Sequence, residues 1–286
     1  MRSVGLLVAL AVTLGCGGKP PPIDEPDSGP FVDQAGFKPR SFGVTVTGKG
    51  RPVIFIPGLG CPGEVWDETV AHLGEAVQSH VLTLSGFAGR PAIRGALSAT
   101  VRKELVRYIR SNHLKSPVIV GHSMGGFIAY WLAATASAQL GGVIVVDAGP
   151  ALADNDVETA KTLRNAWAQA GDDELVDQIR SAYSSMTKDQ KRMEPIIQLV
   201  AKSDRQAIGD SIYEMVRTDL RDKMPDITVP LLLVLADGGY QSTYKSLAQP
   251  IPHHEVVVLA KTKHFVMFDD PPAWFATLDK FLVDHP

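Results

Sequence analysis

The hexapeptide Gly121-His122-Ser123-Met124-Gly125-Gly126 has the residue types and spacing for nucleophilic chemistry. It follows an apolar, strand-like run over residues 118–120 and opens a helix-like stretch over residues 124–136. A serine between glycines at a strand-to-helix junction lies on a sharp turn, and the glycines relieve the crowding there. The turn exposes the hydroxyl at a helix N-terminus, where the dipole and free amides favour developing negative charge. Ser123 is therefore the candidate nucleophile.

A serine nucleophile needs a general base, and a third group must orient that base. His264 is the candidate base, because it follows the strand-like run 256–259 by a short loop. Two aspartates could orient it, since each follows an apolar run. Asp237, after the run 231–235, begins an Asp-Gly-Gly-Tyr turn and is the preferred acid. Asp147, directly after the run 143–146, stays open as the alternative.

The oxyanion that forms during acyl transfer needs two amide donors directed at one point. We expect one donor to be the amide of Met124, next to the nucleophile. The other is assigned to Leu59, within the turn Pro57-Gly58-Leu59-Gly60 that follows the apolar run 52–56. The glycines allow this backbone to turn close to a substrate.

These candidates need a scaffold that brings the ends of several strands together. From about residue 37, short apolar runs alternate with longer amphipathic stretches. Apolar strands buried on both faces and separated by helices indicate a mostly parallel sheet with helices on both sides, an α/β fold. The predicted strands are residues 44–47, 52–56, 81–84, 118–120, 143–146, 231–235 and 256–259.

Residues 151–226 interrupt this alternation, because they contain no convincing strand. Helix-like pieces occur instead over residues 157–169, 173–185 and 203–217. We expect this insertion to form a helical cap over one end of the sheet. The cap is assigned to residues 150–228 of a folded domain that covers residues 37–286.

The first 36 residues predict export. Arg2 and the apolar run 4–14 are typical of a secretory signal peptide (residues 1–15), since a membrane span needs roughly 20 apolar residues. Thr13-Leu14-Gly15-Cys16 resembles a lipobox, which implies lipidation of Cys16 in a bacterial lipoprotein. The proline-rich, acidic residues 16–36 are predicted to form an extended tether. The protein would then be held by acyl chains on the periplasmic or cell-surface side of a membrane.

The composition excludes several classes of protein. With 45% hydrophobic and 21% charged residues, the chain resembles an ordinary globular domain. A net charge of −3 at pH 7 provides no basic surface for nucleic acid. Two cysteines, Cys16 and Cys61, are too few for a disulfide framework or a zinc cluster. The adjacent His253 and His254 lack a nearby third ligand, so no metal site is predicted.

The turn at residues 57–60, the hexapeptide at 121–126 and the stretch 264–269 together resemble the α/β-hydrolase superfamily, over about residues 41–281. The resemblance implies an eight-stranded sheet, a helical cap after the sixth strand, and a serine hydrolase with neither metal nor organic cofactor. Pro57 stands where the family usually has a histidine. Asp237 lies about two positions earlier than the acid of many members, which keeps Asp147 open.

The predicted reaction is hydrolysis of an ester-type bond in a small molecule through an acyl-enzyme. His264 would take the proton of Ser123 during attack and then activate the water that releases the acyl group. The alternative is a small-molecule receptor on the same fold, with slow or no turnover. Turnover of a panel of esters distinguishes the two, because a receptor stops near one event per site.

Overall fold

The computed structural model describes residues 37–152 and 156–286. The predicted signal peptide (1–15), the tether (16–36) and the lipidation site Cys16 lie outside these residues, so their assignment stays a prediction. In the described part of the chain, each helix is too short or too polar to span a membrane.

One sheet of seven strands organises the described residues, in the order β1-β3-β2-β4-β5-β6-β7. β1 is antiparallel to β3, and all other neighbours are parallel. The strands are β1 (Phe42–Thr47), β2 (Arg51–Ile56), β3 (Val77–Leu84), β4 (Val118–His122), β5 (Gly142–Val146), β6 (Leu231–Ala236) and β7 (His254–Leu259). The mostly parallel α/β architecture is confirmed. The expectation of eight strands is wrong, because each of the seven apolar runs became one strand and only the family resemblance implied another.

Helices cover the sheet and connect its parallel strands. They are α1 (Asp67–Leu73), α2 (Leu97–Ser111), α3 (Met124–Ala136), α4 (Val157–Gln169), α5 (Asp172–Ser185), α6 (Gln190–Val200), α7 (Arg205–Arg217), α8 (Gln241–Ala248), α9 (Val266–Asp269) and α10 (Pro271–Asp284). We call α4–α7 the helical insertion. It follows β5, the fifth strand, and not a sixth. The pieces predicted at 157–169, 173–185 and 203–217 correspond to α4, α5 and α7, whereas α6 contains Pro195 and was not predicted.

The core lies on both faces of the central strands. Every residue of β4, β5 and β6 is buried, whereas the edge strand β1 exposes its last three residues. α3 packs against β4 and β5, and almost all of its residues are buried. This arrangement explains why the central strands are continuous apolar runs and do not alternate polar with apolar residues.

The helical insertion is bonded to the sheet domain at several points. The buried carboxylate of Glu214, on α7, accepts hydrogen bonds of 2.8 Å from the amides of Ser98 and Ala99 at the N-terminus of α2. The amide of Asp204 donates to the carbonyl of Gly86 at 2.7 Å. Since free amides at a helix N-terminus favour a negative charge, Glu214 stabilises both α2 and the seat of the insertion.

Replacing Glu214 with alanine removes an acceptor from two amides and leaves them without that partner. We expect Glu214→Ala to lower the free energy of unfolding by about 2–3 kcal/mol, the range for hydrogen bonds to a charged group. Urea denaturation measures this change. Glu75→Ala, at an exposed glutamate, is the control and should shift the value by less than about 0.5 kcal/mol. Equal effects of the two variants would contradict the assignment.

Candidate active site

Ser123 is the single residue that connects strand β4 to helix α3. β4 ends at His122 and α3 begins at Met124. The backbone of Ser123 has φ of 55° and ψ of −121°, a conformation that costs a residue other than glycine about 1–3 kcal/mol. Its amide donates to the carbonyl of Val146 at the end of β5, at 2.9 Å. The chain thus makes the sharp strand-to-helix turn, with the serine at the N-terminus of α3.

Two glycines make this turn possible. A Cβ atom added to Gly121 would lie 2.2 Å from the carbonyl oxygen of Gly125. A Cβ atom added to Gly125 would lie 2.2 Å from the carbonyl oxygen of Ile56. Both distances are too short for a real Cβ atom, so only glycine fits at these two positions. The absence of side chains lets the first turn of α3 pack directly against the carboxyl end of β2.

The carboxyl end of β2 continues into a tight turn beside Ser123. The amide of Cys61 donates to the carbonyl of Gly58 at 3.1 Å, and Gly60 has φ of 66°. Leu59 lies between Gly58 and Gly60 and does not have a positive φ. Residues 58–61 therefore form a type II turn, which we call the glycine turn. A Cβ atom on Gly58 would lie 3.2 Å from the Cβ of Ser123. The two expected oxyanion donors, Leu59 and Met124, therefore belong to backbone segments that meet at the serine.

His264 is hydrogen-bonded to Asp147. The distance from its Nδ1 to Oδ2 of Asp147 is 2.7 Å, and the two side chains are 26% and 12% exposed. The other carboxylate oxygen accepts from the amide of Ala236 at 3.0 Å. Burial by itself raises the pKa of Asp147, but the hydrogen bonds from His264 and Ala236 and the nearby histidine charge outweigh it, so the pKa lies below its usual value. The carboxylate is thus held ionised beside the imidazole.

Asp237, the preferred acid, makes a different contact. Its carboxylate accepts a 2.9 Å hydrogen bond from the amide of Lys261, at the start of the loop that leads to His264. Asp147 has a left-handed backbone, with φ of 46°, and follows directly on β5. Its carboxylate is the one bonded to the imidazole, while that of Asp237 holds the backbone of the loop. The contacts therefore favour the alternative acid over the preferred one.

His122, which sequence reasoning did not single out, is hydrogen-bonded to the backbone of the loop that carries His264. Its ring is 1% exposed, and its Nε2 lies 2.9 Å from the carbonyl oxygen of His264. Since a carbonyl only accepts, Nε2 carries the hydrogen. The ring centroids of the two histidines are 4.6 Å apart. Burial, and then the charge of His264, lower the pKa of His122 to about 3, so it stays neutral. The signal in the sequence was its place directly before the nucleophile.

Asp269 joins the helical insertion to the same loop. One oxygen of its carboxylate accepts from the hydroxyl of Thr187 at 2.6 Å and from the amide of Lys188 at 2.7 Å. The other oxygen accepts from the amide of Lys263 at 2.7 Å. The residue before His264 is thereby bonded, through one side chain, to the segment that follows α5.

The Cys61 thiol and possible metal ligands are further candidates for reactive groups. Burial raises the pKa of the Cys61 thiol to about 12, so the thiol stays protonated and is a poor nucleophile. Within residues 37–152 and 156–286, no three or more histidine, cysteine, aspartate or glutamate side chains are placed to hold a metal ion.

With a strained serine on the turn after β4, an Asp–His pair at neighbouring strand ends and a mostly parallel sheet, the molecule has the features of an α/β hydrolase. The sequence model of the alpha/beta hydrolase family matches residues 53–278. The chain therefore belongs to this family.

Named relatives are similar over most of their length. A pimeloyl-[acyl-carrier protein] methyl ester esterase of Vibrio atlanticus is 24% identical, over 82% of this chain and 96% of the relative. An N-formylmaleamate deformylase of Pseudomonas putida is 25% identical, over 84% of this chain and 91% of the relative. The crystal structure of an enol-lactonase of Burkholderia xenovorans shares the fold, with a TM-score of 0.75 and 18% identity over 85% of this chain and 96% of that one. Relatives of these kinds support a carboxylesterase-like hydrolase.

Asparagine variants distinguish the two candidate acids. We expect Asp147→Asn to slow phosphonylation of Ser123 by a fluorophosphonate about 10³- to 10⁴-fold, because the amide cannot hold the imidazole in the required tautomer. Asp237→Asn is the matched control and should change the rate by less than about 10-fold, since its carboxylate is bonded to a backbone amide. The rate is measured by mass spectrometry of the labelled protein. A larger effect at Asp237 would restore it as the acid.

Proposed function

We propose that this protein is a serine hydrolase that cleaves an ester-type bond through an acyl-enzyme. Ser123 is the nucleophile, His264 the general base and acid, and Asp147 the acid that orients the imidazole. The amides of Leu59 and Met124 bind the oxyanion. The observation that carries the proposal is the 2.7 Å contact between His264 and Asp147, in a fold that places a strained serine on the adjoining turn.

Each residue has a defined step in the reaction. His264 accepts the Ser123 proton through Nε2 while the serine oxygen bonds to the substrate carbonyl carbon, and the carbonyl oxygen becomes an oxyanion. Asp147 stabilises the imidazolium through Nδ1. The oxyanion collapses as the alcohol leaves with the proton from Nε2. Water then attacks the acyl carbon as the same nitrogen takes its proton. The bond to the serine oxygen breaks, Ser123 regains a proton from Nε2, and the carboxylic acid is released.

The substrate class is supported by the chemistry in the relatives' names. A methyl ester, an N-formyl group and an enol-lactone all present an acyl carbon to a nucleophile. We assign to this protein an ester or related acyl compound of small size. We further propose that the helical insertion acts as the cap over the reacting groups. It is hydrogen-bonded to the glycine turn through Tyr183, and to the loop of His264 through Asp269 and the Phe265 amide.

Ester turnover tests the proposed reaction. We expect the wild-type protein to hydrolyse p-nitrophenyl acetate or butyrate with many turnovers per molecule, followed by absorbance of the released p-nitrophenol. Ser123→Ala and His264→Ala should each lower kcat about 10⁴-fold or more, because the triad acts as a unit. His72→Ala is a control at a partly exposed histidine bonded to Asp279, and it should keep the activity.

The receptor alternative predicts another result in the same assay. Release of about one equivalent of p-nitrophenol per molecule, with no further turnover, would replace the hydrolase proposal with a binding function. Wild-type activity in Ser123→Ala would contradict the nucleophile assignment.

We also propose that Cys16 is lipidated and anchors the protein to a membrane, on the basis of Thr13-Leu14-Gly15-Cys16 alone. In a bacterial host, we expect the full chain to incorporate an alkyne-tagged fatty acid and to sediment with membranes. Cys16→Ser should lose both properties, whereas Cys61→Ser should keep both, since Cys61 is buried in the folded domain. Label that persists in Cys16→Ser would exclude this anchor.

A further inference from the structure

Two hydroxyl groups of the helical insertion donate hydrogen bonds to successive carbonyls of the glycine turn. The phenol of Tyr183, on α5, donates to the carbonyl oxygen of Leu59. The hydroxyl of Ser203, between α6 and α7, lies 3.2 Å from the carbonyl oxygen of Gly60 and donates to it. Both side chains are buried. These contacts join residues far apart in the chain to the loop that we assign to oxyanion binding.

The Leu59 carbonyl is the part of the turn that decides its type. It belongs to the central peptide of a four-residue turn, and this peptide is flipped by about 180° between type I and type II turns. The phenol of Tyr183 binds the carbonyl in the type II orientation, in which Gly60 has φ of 66°. The Leu59 amide belongs to the preceding peptide of the same turn, so the phenol acts on it by fixing the position of Leu59 within the turn.

The neighbours of the Tyr183 phenol offer the Leu59 carbonyl few other hydrogen-bond donors. A Cβ atom on Gly60 would lie 3.2 Å from the Tyr183 oxygen and 3.2 Å from Cγ1 of Val200, with Ile208 next to them at 3.6 Å. Most of these neighbours are apolar, and the Cys61 thiol that contacts the phenol is only a weak donor, so a carbonyl without the phenol is disfavoured. Burial keeps the pKa of Tyr183 well above its usual value, so the phenol remains a donor.

The same end of α5 also contacts the loop of the general base. The ring of Tyr183 lies 6.2 Å from that of Phe265, the residue after His264. The amide of Phe265 donates to the carbonyl of Met186, directly after α5, at 3.2 Å. Tyr183 therefore lies where the glycine turn and the loop of His264 approach each other.

We propose that Tyr183 is a positioning residue for the oxyanion site: its phenol holds the glycine turn in the form that directs the Leu59 amide at the oxyanion. This inference rests on the proposed hydrolase function. It makes the helical insertion part of the catalytic apparatus as well as a cover, because one of its side chains sets the geometry of an amide that binds the transition state.

The test is Tyr183→Phe in the full chain, which removes the donor and keeps the ring. With p-nitrophenyl butyrate, we expect kcat to fall about 10- to 100-fold while KM changes by less than about 3-fold, since the amide acts mainly in the transition state. A trifluoromethyl ketone forms a tetrahedral oxyanion with Ser123 without a leaving group. Its affinity should weaken by the same factor as kcat/KM.

Two control variants separate positioning from general loosening. Tyr213→Phe removes a hydroxyl from α7, where the ring packs against Arg164, and should leave kcat and ketone affinity unchanged. Glu214→Gln weakens the contact between α7 and α2 and should lower the melting temperature with little change in kcat.

The possible outcomes are distinct. Unchanged kcat and ketone affinity in Tyr183→Phe would overturn the inference and leave the hydrolase function standing. Equal losses in Tyr183→Phe and Glu214→Gln would also overturn it, because loosening of the insertion would then suffice. A wild-type protein that neither turns over esters nor reacts at Ser123 would overturn the proposed function and this inference together.

Discussion

The left-handed backbone of Ser123 is the constraint on which the rest of the site depends. The chain has to reverse between β4 and α3 within one residue, and this brings the start of α3 onto the end of β2. Contact at that distance requires glycine at positions 121 and 125. The strain at Ser123, about 1–3 kcal/mol, persists because fully buried strands and the bond to Val146 over-determine the turn. Where β2 ends, the glycine turn begins, so the same reversal also places that turn beside the serine.

The protonation states of Asp147 and His122 are set by burial and by the groups around them, including the imidazole of His264. Asp147 is ionised and hydrogen-bonded to His264, so its charge would stabilise the imidazolium of the proposed reaction. His122 lies against the same imidazole but stays neutral, with its pKa near 3, because it is buried and because a second positive charge there would be repelled. The neutral ring of His122 donates a hydrogen bond to the backbone of His264 and adds no positive charge beside the imidazolium of the proposed reaction. The site thus contains two histidines in contact, one of which, His122, stays neutral.

The sequence predicted the elements whose signals are local. α3 and α4 begin and end where the apolar pattern indicated, and Ser123 was visible from the glycines around it. The choice between Asp147 and Asp237 was not local, because both follow neighbouring parallel strands. It depends on the left-handed backbone of Asp147 and on the Lys261 amide that binds Asp237, and neither has a sequence signature. Tyr183 was invisible for a related reason: its partner Leu59 lies 124 positions away. The eighth strand came from the family resemblance, although the apolar runs themselves numbered seven.

The bonds of the helical insertion also restrict how it can move. Lifting it as a rigid body would break the hydrogen bonds that Glu214 accepts from α2, those that Asp269 accepts from Thr187 and Lys188, and the contact of Tyr183 with Leu59. The first two sets involve charged carboxylates, and each such hydrogen bond contributes about 1.5–3 kcal/mol, so the combined cost is a large fraction of the stability of an ordinary domain. Such a movement would also release the Leu59 carbonyl and disturb the oxyanion site. Displacement of the whole insertion is therefore a costly way to admit a substrate of the proposed hydrolase, and a smaller local movement that keeps these hydrogen bonds would cost less.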